Sequence, residues 1–290
     1  MTVDLNIRTM TAAEVPTLID WANTEGWNPG LHDATSFLAT DANAFLAAER
    51  SGKLIGGGAT TSYAGEFGFM GFFIVRPEFR GQGFGDALWQ FRRQHLLNRL
   101  LPDASIGMDG VFAMQDYYAK GGFVFSHRNL RFCKTIPQAE TREVPVDTSI
   151  IPLVSTSFSK LIAYDRSCFP APRPEFLRSW INQPDSLGLA YQEAGELKGY
   201  GVIRRCAQGY KIGPLFADSH AIADSLYRQL TVFAAGDTVY LDAPENNPAA
   251  MALVTQHKMQ EVFGCARMYL GDAPNIIHER IYGVTTFELG

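Results

Sequence analysis

Glycine stands at positions 81, 83 and 85 in the stretch FIVRPEFRGQGFGDALWQ (residues 73–90), between an apolar strand-like run and an apolar helix-like one. The positions Phe84, Ala87, Leu88, Phe91, Leu96 and Leu97 recur near helical spacing, with Asp86, Arg92 and Arg93 between them, so the glycines open a helix. The first amides of a helix have no partner within it and carry partial positive charge, so they attract phosphate wherever backbone can come close. With no side chains at 81, 83 and 85, the amides of Gln82 to Asp86 can surround a diphosphate, and Arg80 supplies a charged donor at the rim.

Around this turn the chain reads as alternating elements. Strand-like residues 4–10 lead into Thr11-Ala-Ala-Glu14, which has capping-box spacing. A loop rich in Trp, Gly and Pro, a short helix at 33–39 and strands near 43–50, 53–63 and 67–76 follow. After the glycine-opened helix come a buried strand at 106–111, a helix at 115–120 and a closing strand pair within 123–134. The polar, proline-bearing stretch TIPQAETREVPV (135–146) lacks either period and divides the chain. The expected units are residues 1–136, a linker at 137–148, and residues 149–290. At 290 residues, two units of ordinary size are expected. The second unit repeats the strand–loop–helix order of the first: residues 212–230 and 239–258 followed by a terminal strand pair match 70–134, which reads as a structural duplication.

Composition narrows the partners. A net charge of −5 argues against a broad nucleic-acid surface. The most apolar run, 67–75, is far too short to cross a bilayer, no signal-peptide pattern opens the chain, and the four cysteines form neither a C-x-x-C pair nor a metal-like cluster with the histidines. The expectation is a cytoplasmic protein with reduced thiols, no metal, no nucleic-acid or membrane partner, and a homodimer left open.

Two familiar phosphate loops do not fit the glycines. The P-loop needs a Lys followed by a hydroxyl residue, and the dinucleotide fingerprint wants a glycine where Asp86 stands. Arg80-Gly81-Gln82-Gly83-Phe84-Gly85 instead resembles the R-x-x-G-x-G/A pyrophosphate loop of the GNAT superfamily, the acetyl-CoA-dependent N-acetyltransferases. Val75-Arg76-Pro77 before it, Ala87-Leu88 after it and Tyr118-Ala-Lys-Gly-Gly122-Phe123 further on agree with that family's pattern.

The resemblance implies an α/β fold: tandem GNAT-like units, each a mostly antiparallel mixed sheet with a splayed parallel strand pair and flanking helices. It implies acetyl-CoA held by Phe73, Val75, Arg80, Gly81, Gln82, Gly83, Phe84, Gly85 and Asp86. Gly68 and Gly71 suit a distorted strand beside which pantetheine pairs. An amine then attacks the thioester directly, with no covalent enzyme intermediate. By the same resemblance Tyr118 protonates the leaving thiolate, while Asp109 or Glu66 accepts the amine's proton. The loop between the first two helices is expected to offer Trp27 and Asp33 to the acceptor.

In the second unit the glycines of the loop are missing: Ser219, Ala221 and Ala223 stand in their places, Asp218 replaces Arg80, and Val254 replaces the tyrosine. This unit resembles a GNAT fold that has lost coenzyme binding and helps to shape the acceptor site, with Asp165, Arg173 and Asp242 as candidate contacts. The resulting expectation is acetyl transfer from acetyl-CoA to a primary amine of a small molecule. The alternatives are a protein or peptide acceptor, or a non-catalytic acyl-CoA sensor.

Overall fold

A computed structural model describes residues 5–290. Strand β1 (Asn6–Thr9) leads to helix α1 (Val15–Thr24), whose entry is fixed by the Glu14 carboxylate accepting from the Thr11 amide at 2.8 Å. Residue 4, expected in the first strand, lies outside the described residues. Helix α2 (Asp33–Thr40) precedes a meander of β2 (Phe45–Arg50), β3 (Lys53–Tyr63) and β4 (Phe67–Val75). Then come α3 (Phe84–Leu97), β5 (Ile106–Val111), α4 (Gln115–Lys120) and β6 (Val124–Thr135). The dividing stretch contains a short helix, α5 (Gln138–Arg142).

The order then recurs. Strand β7 (Ile150–Pro152), helices α6 (Phe158–Asp165) and α7 (Pro174–Trp180), and strands β8 (Ser186–Glu193), β9 (Glu196–Arg205) and β10 (Tyr210–Ala217) are followed by α8 (His220–Val232), β11 (Thr238–Pro244), α9 (Pro248–Gln256), β12 (Gln260–Leu270) and β13 (Ile281–Gly283).

All these strands join one sheet in the order β1-β2-β3-β4-β5-β12-β6-β11-β10-β9-β8-β7, with β13 beside β10. The two halves run as mirror sequences from the sheet's ends to its middle, and there they exchange strands. Residues 123–134, expected as a strand pair closing the first unit, fall, apart from Phe123, in the single long β6, which pairs along its length with β11 and β12. The strand beside β5 is β12, from the second half of the chain. The cut at 137–148 therefore separates the halves in chain order but not in the sheet. One cluster of buried apolar residues, from Met10 to Leu289, draws on both halves, and further clusters lie beside it.

Each half contains one parallel contact, β4 with β5 and β10 with β11. The first is short: Gly68 and Phe69 pair with Ile106 and Gly107, and beyond them the strands part. A bulge forces the parting. Phe72 has φ +48 in the left-handed region, and the register with β3 slips between Gly57 and Ala59. Arg92, 1% exposed, reaches up from α3 and donates to the carbonyls of Ala59 (2.9 Å) and Gly71 (2.5 Å) that the bulge leaves facing the interior. Its guanidinium lies 5.0 Å above the Phe73 ring.

Candidate active site

Where β4 and β5 part, a cavity of about 430 Å³ opens between the start of α3 and the second half of the chain. The glycine turn lies at one part of its wall. Gly81 and Gly83 take φ values of +72 and +84, open to glycine at little cost, and Gly83 caps α3 without any side chain. A Cβ at either position would meet nothing within 4 Å, so the approach to the helix start is open. The first helical bond runs from the Ala87 amide to the Gly83 carbonyl, which leaves the preceding amides free for a ligand.

Phe73, Val75, Arg80, Gly81, Gly85 and Asp86 line the cavity, whereas Gln82, Gly83 and Phe84 do not. The Phe84 side chain is buried in a satellite core with Ala48, Ile55 and Leu88, and Gln82 folds back onto the Glu78 carbonyl at 3.0 Å. Arg80 holds the Val75 carbonyl through Nε at 2.7 Å and pairs with Glu25, so a bound diphosphate must compete with Glu25 for it. Free amides, an open glycine turn and an unpaired β4 edge together fit a pantetheine diphosphate.

Tyr118 also faces this cavity. It is 4% exposed, lines the cavity, packs against Trp89 at 5.2 Å, and fits only because residue 110 is glycine, where a Cβ would fall 2.4 Å from its ring. Its neighbour Tyr117 donates to Asp86 at 2.7 Å, but no group among the described residues accepts the Tyr118 proton. Burial pushes the Tyr118 phenol up to about 12, so it carries its proton at neutral pH. Cys265 shares the wall, and burial likewise pushes its thiol well above the ordinary range, which denies it the thiolate a nucleophile needs.

The two carboxylates expected as bases are placed differently. Glu66 is exposed in the turn before β4, at the end where β4 and β5 are still joined, and does not reach the cavity. Asp109 does line it, but Arg267 of β12 grips both its oxygens (2.9 and 2.6 Å) and Asn129 donates to one at 2.8 Å. A carboxylate so fully engaged orients a neighbour and gives up its pair only at the cost of a buried guanidinium left alone.

The lining also includes the aromatic side chains of Trp27, Phe263 and Phe287. One residue that sequence reading did not single out organises all three. Arg131 on β6 donates to the Trp27 carbonyl at 2.6 Å and lies over the rings of Phe263 (5.6 Å) and Phe287 (4.8 Å). Asp242 binds it in a buried two-pronged pair at 2.6 and 2.8 Å, so Asp242 acts behind the wall and does not face the cavity.

Asp33 is also withdrawn from the acceptor. It accepts from the Gly30 amide at 2.8 Å and pairs with Arg204 of β9, pinning the Trp27 loop to the second half. Lys211 and the Gln208 backbone hold Asn28 of the same loop. Asp165 and Arg173 pair with each other at 2.8 and 2.9 Å deep in the second half, where Arg173 also donates to Thr285. Asp33 and Asp242 find their opposites far off in the chain, which no local spacing reveals, whereas Asp165 and Arg173 pair across only 8 residues.

The matching helix start in the second half is built differently. Ser219 caps α8 with its own hydroxyl, and Asp218 is engaged by Tyr164 and Arg280 where the first half has Arg80. Among the described residues no His/Cys/Asp/Glu group is arranged to hold a metal, and no helix is long and apolar enough to cross a membrane.

Comparison with known proteins agrees with this architecture. Residues 12–123 match the model of the acetyltransferase (GNAT) family, and residues 161–283 match a further acetyltransferase (GNAT) domain model. A holothin acyltransferase from Pseudoalteromonas sp. (strain SANK 73390) is 26% identical over 93% of this chain and 90% of its own length. An acetyltransferase structure from Pyrococcus horikoshii, provisionally so assigned, superposes over 100% of this chain and 97% of its own, with a TM-score of 0.83 at 19% identity. A tandem GNAT protein from the clavulanic acid biosynthesis pathway covers 93% and 99%, with a TM-score of 0.63 at 12% identity. With a cofactor-type groove in its first half and a second half of the same fold that closes over it, the chain belongs to the GNAT acyltransferase superfamily as a two-domain member.

Proposed function

We propose that the chain transfers an acetyl group from acetyl-CoA to a primary amine of a small molecule, by direct attack while both are bound. The observation that carries this reading is a single cavity that joins the glycine-opened helix start to the protonated Tyr118 and to an aromatic chamber beyond it. Bound acetyl-CoA supplies an activated acyl carbon and a thiol leaving group. The amides before Ala87, with Arg80, hold its diphosphate, the free edge of β4 aligns its arm, and Tyr118 gives a proton to the departing sulfur. The second half closes the acceptor chamber with Phe263, Cys265 and Phe287, a setting for a compact flat amine better than for a peptide, which needs an open trough. The relative named a holothin acyltransferase joins the activity to one named compound, in keeping with a small-molecule acceptor.

The test is release of free thiol from acetyl-CoA across a panel of aryl and alkyl amines, read beside calorimetry with acetyl-CoA. Tyr118→Phe is expected to lower kcat about 100-fold while leaving acetyl-CoA affinity within twofold. Binding without transfer to any amine, in the unaltered protein, would mark a sensor instead. Acetylation of peptides in preference to free amines would move the acceptor class.

A further inference from the structure

Residues 281–290 are buried throughout and run between the two halves. In the second half, β10 and β11 pair only over 210–212 and 239–241 before parting, as β4 and β5 do. The chain itself fills that gap. Gly283 and Ile281 pair with Leu215 and Phe216 of β10, the Val284 amide donates to the Asp242 carbonyl at 2.8 Å, and Tyr282 enters the second half's core. A Cβ on Gly213 would fall 2.4 Å from the Thr285 carbonyl. Residues 281–285 thus occupy the place where the first half leaves its strand edge open.

From there the segment crosses into the first half. Thr285 is held by Arg173 at 2.9 Å, the Thr286 hydroxyl accepts from the Leu289 amide at 2.9 Å, and Tyr63 donates to the Leu289 carbonyl at 2.7 Å. Between these anchors Glu288 is set against the bulge of β4, where a Cβ on Gly71 would overlap its carbonyl oxygen at 1.9 Å. Glu288 lines the cavity together with Tyr118, is 3% exposed, and has its side-chain Oε2 buried without a hydrogen-bond partner. An unpartnered buried carboxylate oxygen is costly to a fold and is kept where a ligand completes it.

We infer that Glu288, delivered by the segment that plugs the second half's groove, is the catalytic base that accepts the proton of the attacking amine. This rests on the acyl-transfer reading above. The C–N bond forms as the amine attacks the acyl carbon, the nitrogen's proton passes to the Glu288 carboxylate, the C–S bond breaks, and Tyr118 protonates the sulfur. Glu288 then returns a proton, through solvent, to the tyrosinate, so that amide and free thiol are the only products.

The surroundings suit the task. The charged groups that bear on Glu288 are Lys211 of β10, Arg131 of β6, Arg204 of β9 and Asp33 of α2. Arg131 and Arg204 are already neutralised by Asp242 and Asp33, and Lys211 spends a proton on the Asn28 carbonyl at 2.8 Å. Burial outweighs the remaining attraction and raises the carboxyl above its ordinary 4.5, the direction that makes it a stronger base.

The full chain tests this with Glu288→Gln, Glu288→Ala and three readouts: thiol release with the amine panel, acetyl-CoA binding by calorimetry, and melting temperature at pH 7. Glu288→Gln is expected to lower kcat at least 100-fold, to flatten the acid limb of the pH–rate profile, and to leave acetyl-CoA affinity within twofold. It should melt no lower than the parent, because the amide removes a buried unpaired charge. Glu288→Ala should regain about tenfold of its lost rate in formate. Turnover within threefold of the parent in Glu288→Gln, with the parent active, overturns the base assignment and leaves acyl transfer standing. Joint loss of melting temperature and acetyl-CoA binding in both variants also overturns it, in favour of a structural carboxylate. A parent chain that binds acetyl-CoA yet acylates no amine overturns both readings.

Discussion

His127 lies on β6 opposite Arg267, with its ring 5.7 Å from that of His278 and its Nδ1 2.9 Å from the Ser126 hydroxyl. Burial, then the nearby Arg267 charge, lower its pKa from 6.5 to about 3. The folded form therefore binds the proton less readily than the unfolded chain, so the stabilising effect is whole above pH 6.5 and is lost as pH falls from 6.5 toward 3. Between those limits this one group should remove about 1.4 kcal/mol of stability per pH unit. His127→Gln is expected to shallow the slope of unfolding free energy against pH by that amount, measured by urea titration from pH 6.5 to 4.5; an unchanged slope would refute it. At this scale, legibility followed distance along the chain. Arg80, the glycines and Tyr118 stand in local motifs that can be read directly. Glu288, Arg131 and the true partners of Asp33, Asp109 and Asp242 could not be read so, because each gains its meaning from a residue on another strand, far off in sequence.

The turn from β4 into α3 shows how an element becomes a ligand site. Gly83 is in the left-handed region with open space around it, so a side chain there meets no steric wall and pays only for backbone conformation. Gly83→Ala is expected to cost about 1 kcal/mol of stability, a few degrees of melting temperature, yet to weaken acetyl-CoA more than tenfold, because the helix start must shift away from the diphosphate. Calorimetry beside thermal melting separates the two effects, and equal affinity in the variant would remove the helix start from the site. Element boundaries were largely legible, since the periods in α3, β5 and α4 are set by their own burial. The bulge at Phe72 was anticipated only through Gly68 and Gly71. Its mechanism was not, because it depends on Arg92 reaching the Gly71 and Ala59 carbonyls from a different element.

For the whole molecule, the duplication was visible in the order of elements, but the exchange of β6 and β12 was not. β6 is polar and only partly buried while β12 ends in a buried run, and neither pattern says which neighbour a strand will choose. The exchange places the buried Arg131–Asp242 pair across the seam between β6 and β11, with both side chains nearly inaccessible. Removing one partner strands a buried charge, and Asp242→Asn is expected to cost about 3–5 kcal/mol. Since the halves share one sheet and a buried cluster, the loss should shift a single transition: tryptophan fluorescence, from Trp21, Trp27 and Trp89 in the first half and Trp180 in the second, and far-ultraviolet circular dichroism should move together in urea. Two separated transitions would contradict this.

The placement of β12 also sets a timetable for synthesis. The strand that must lie beside β5 is residues 260–270, so a growing chain that has already emitted β5 and β6 exposes a bare edge on each until those residues emerge. At ordinary translation speeds that interval is on the order of ten seconds. During it the nascent first half presents unpaired strand edges to any neighbouring polypeptide, the kind of edge that invites wrong pairing.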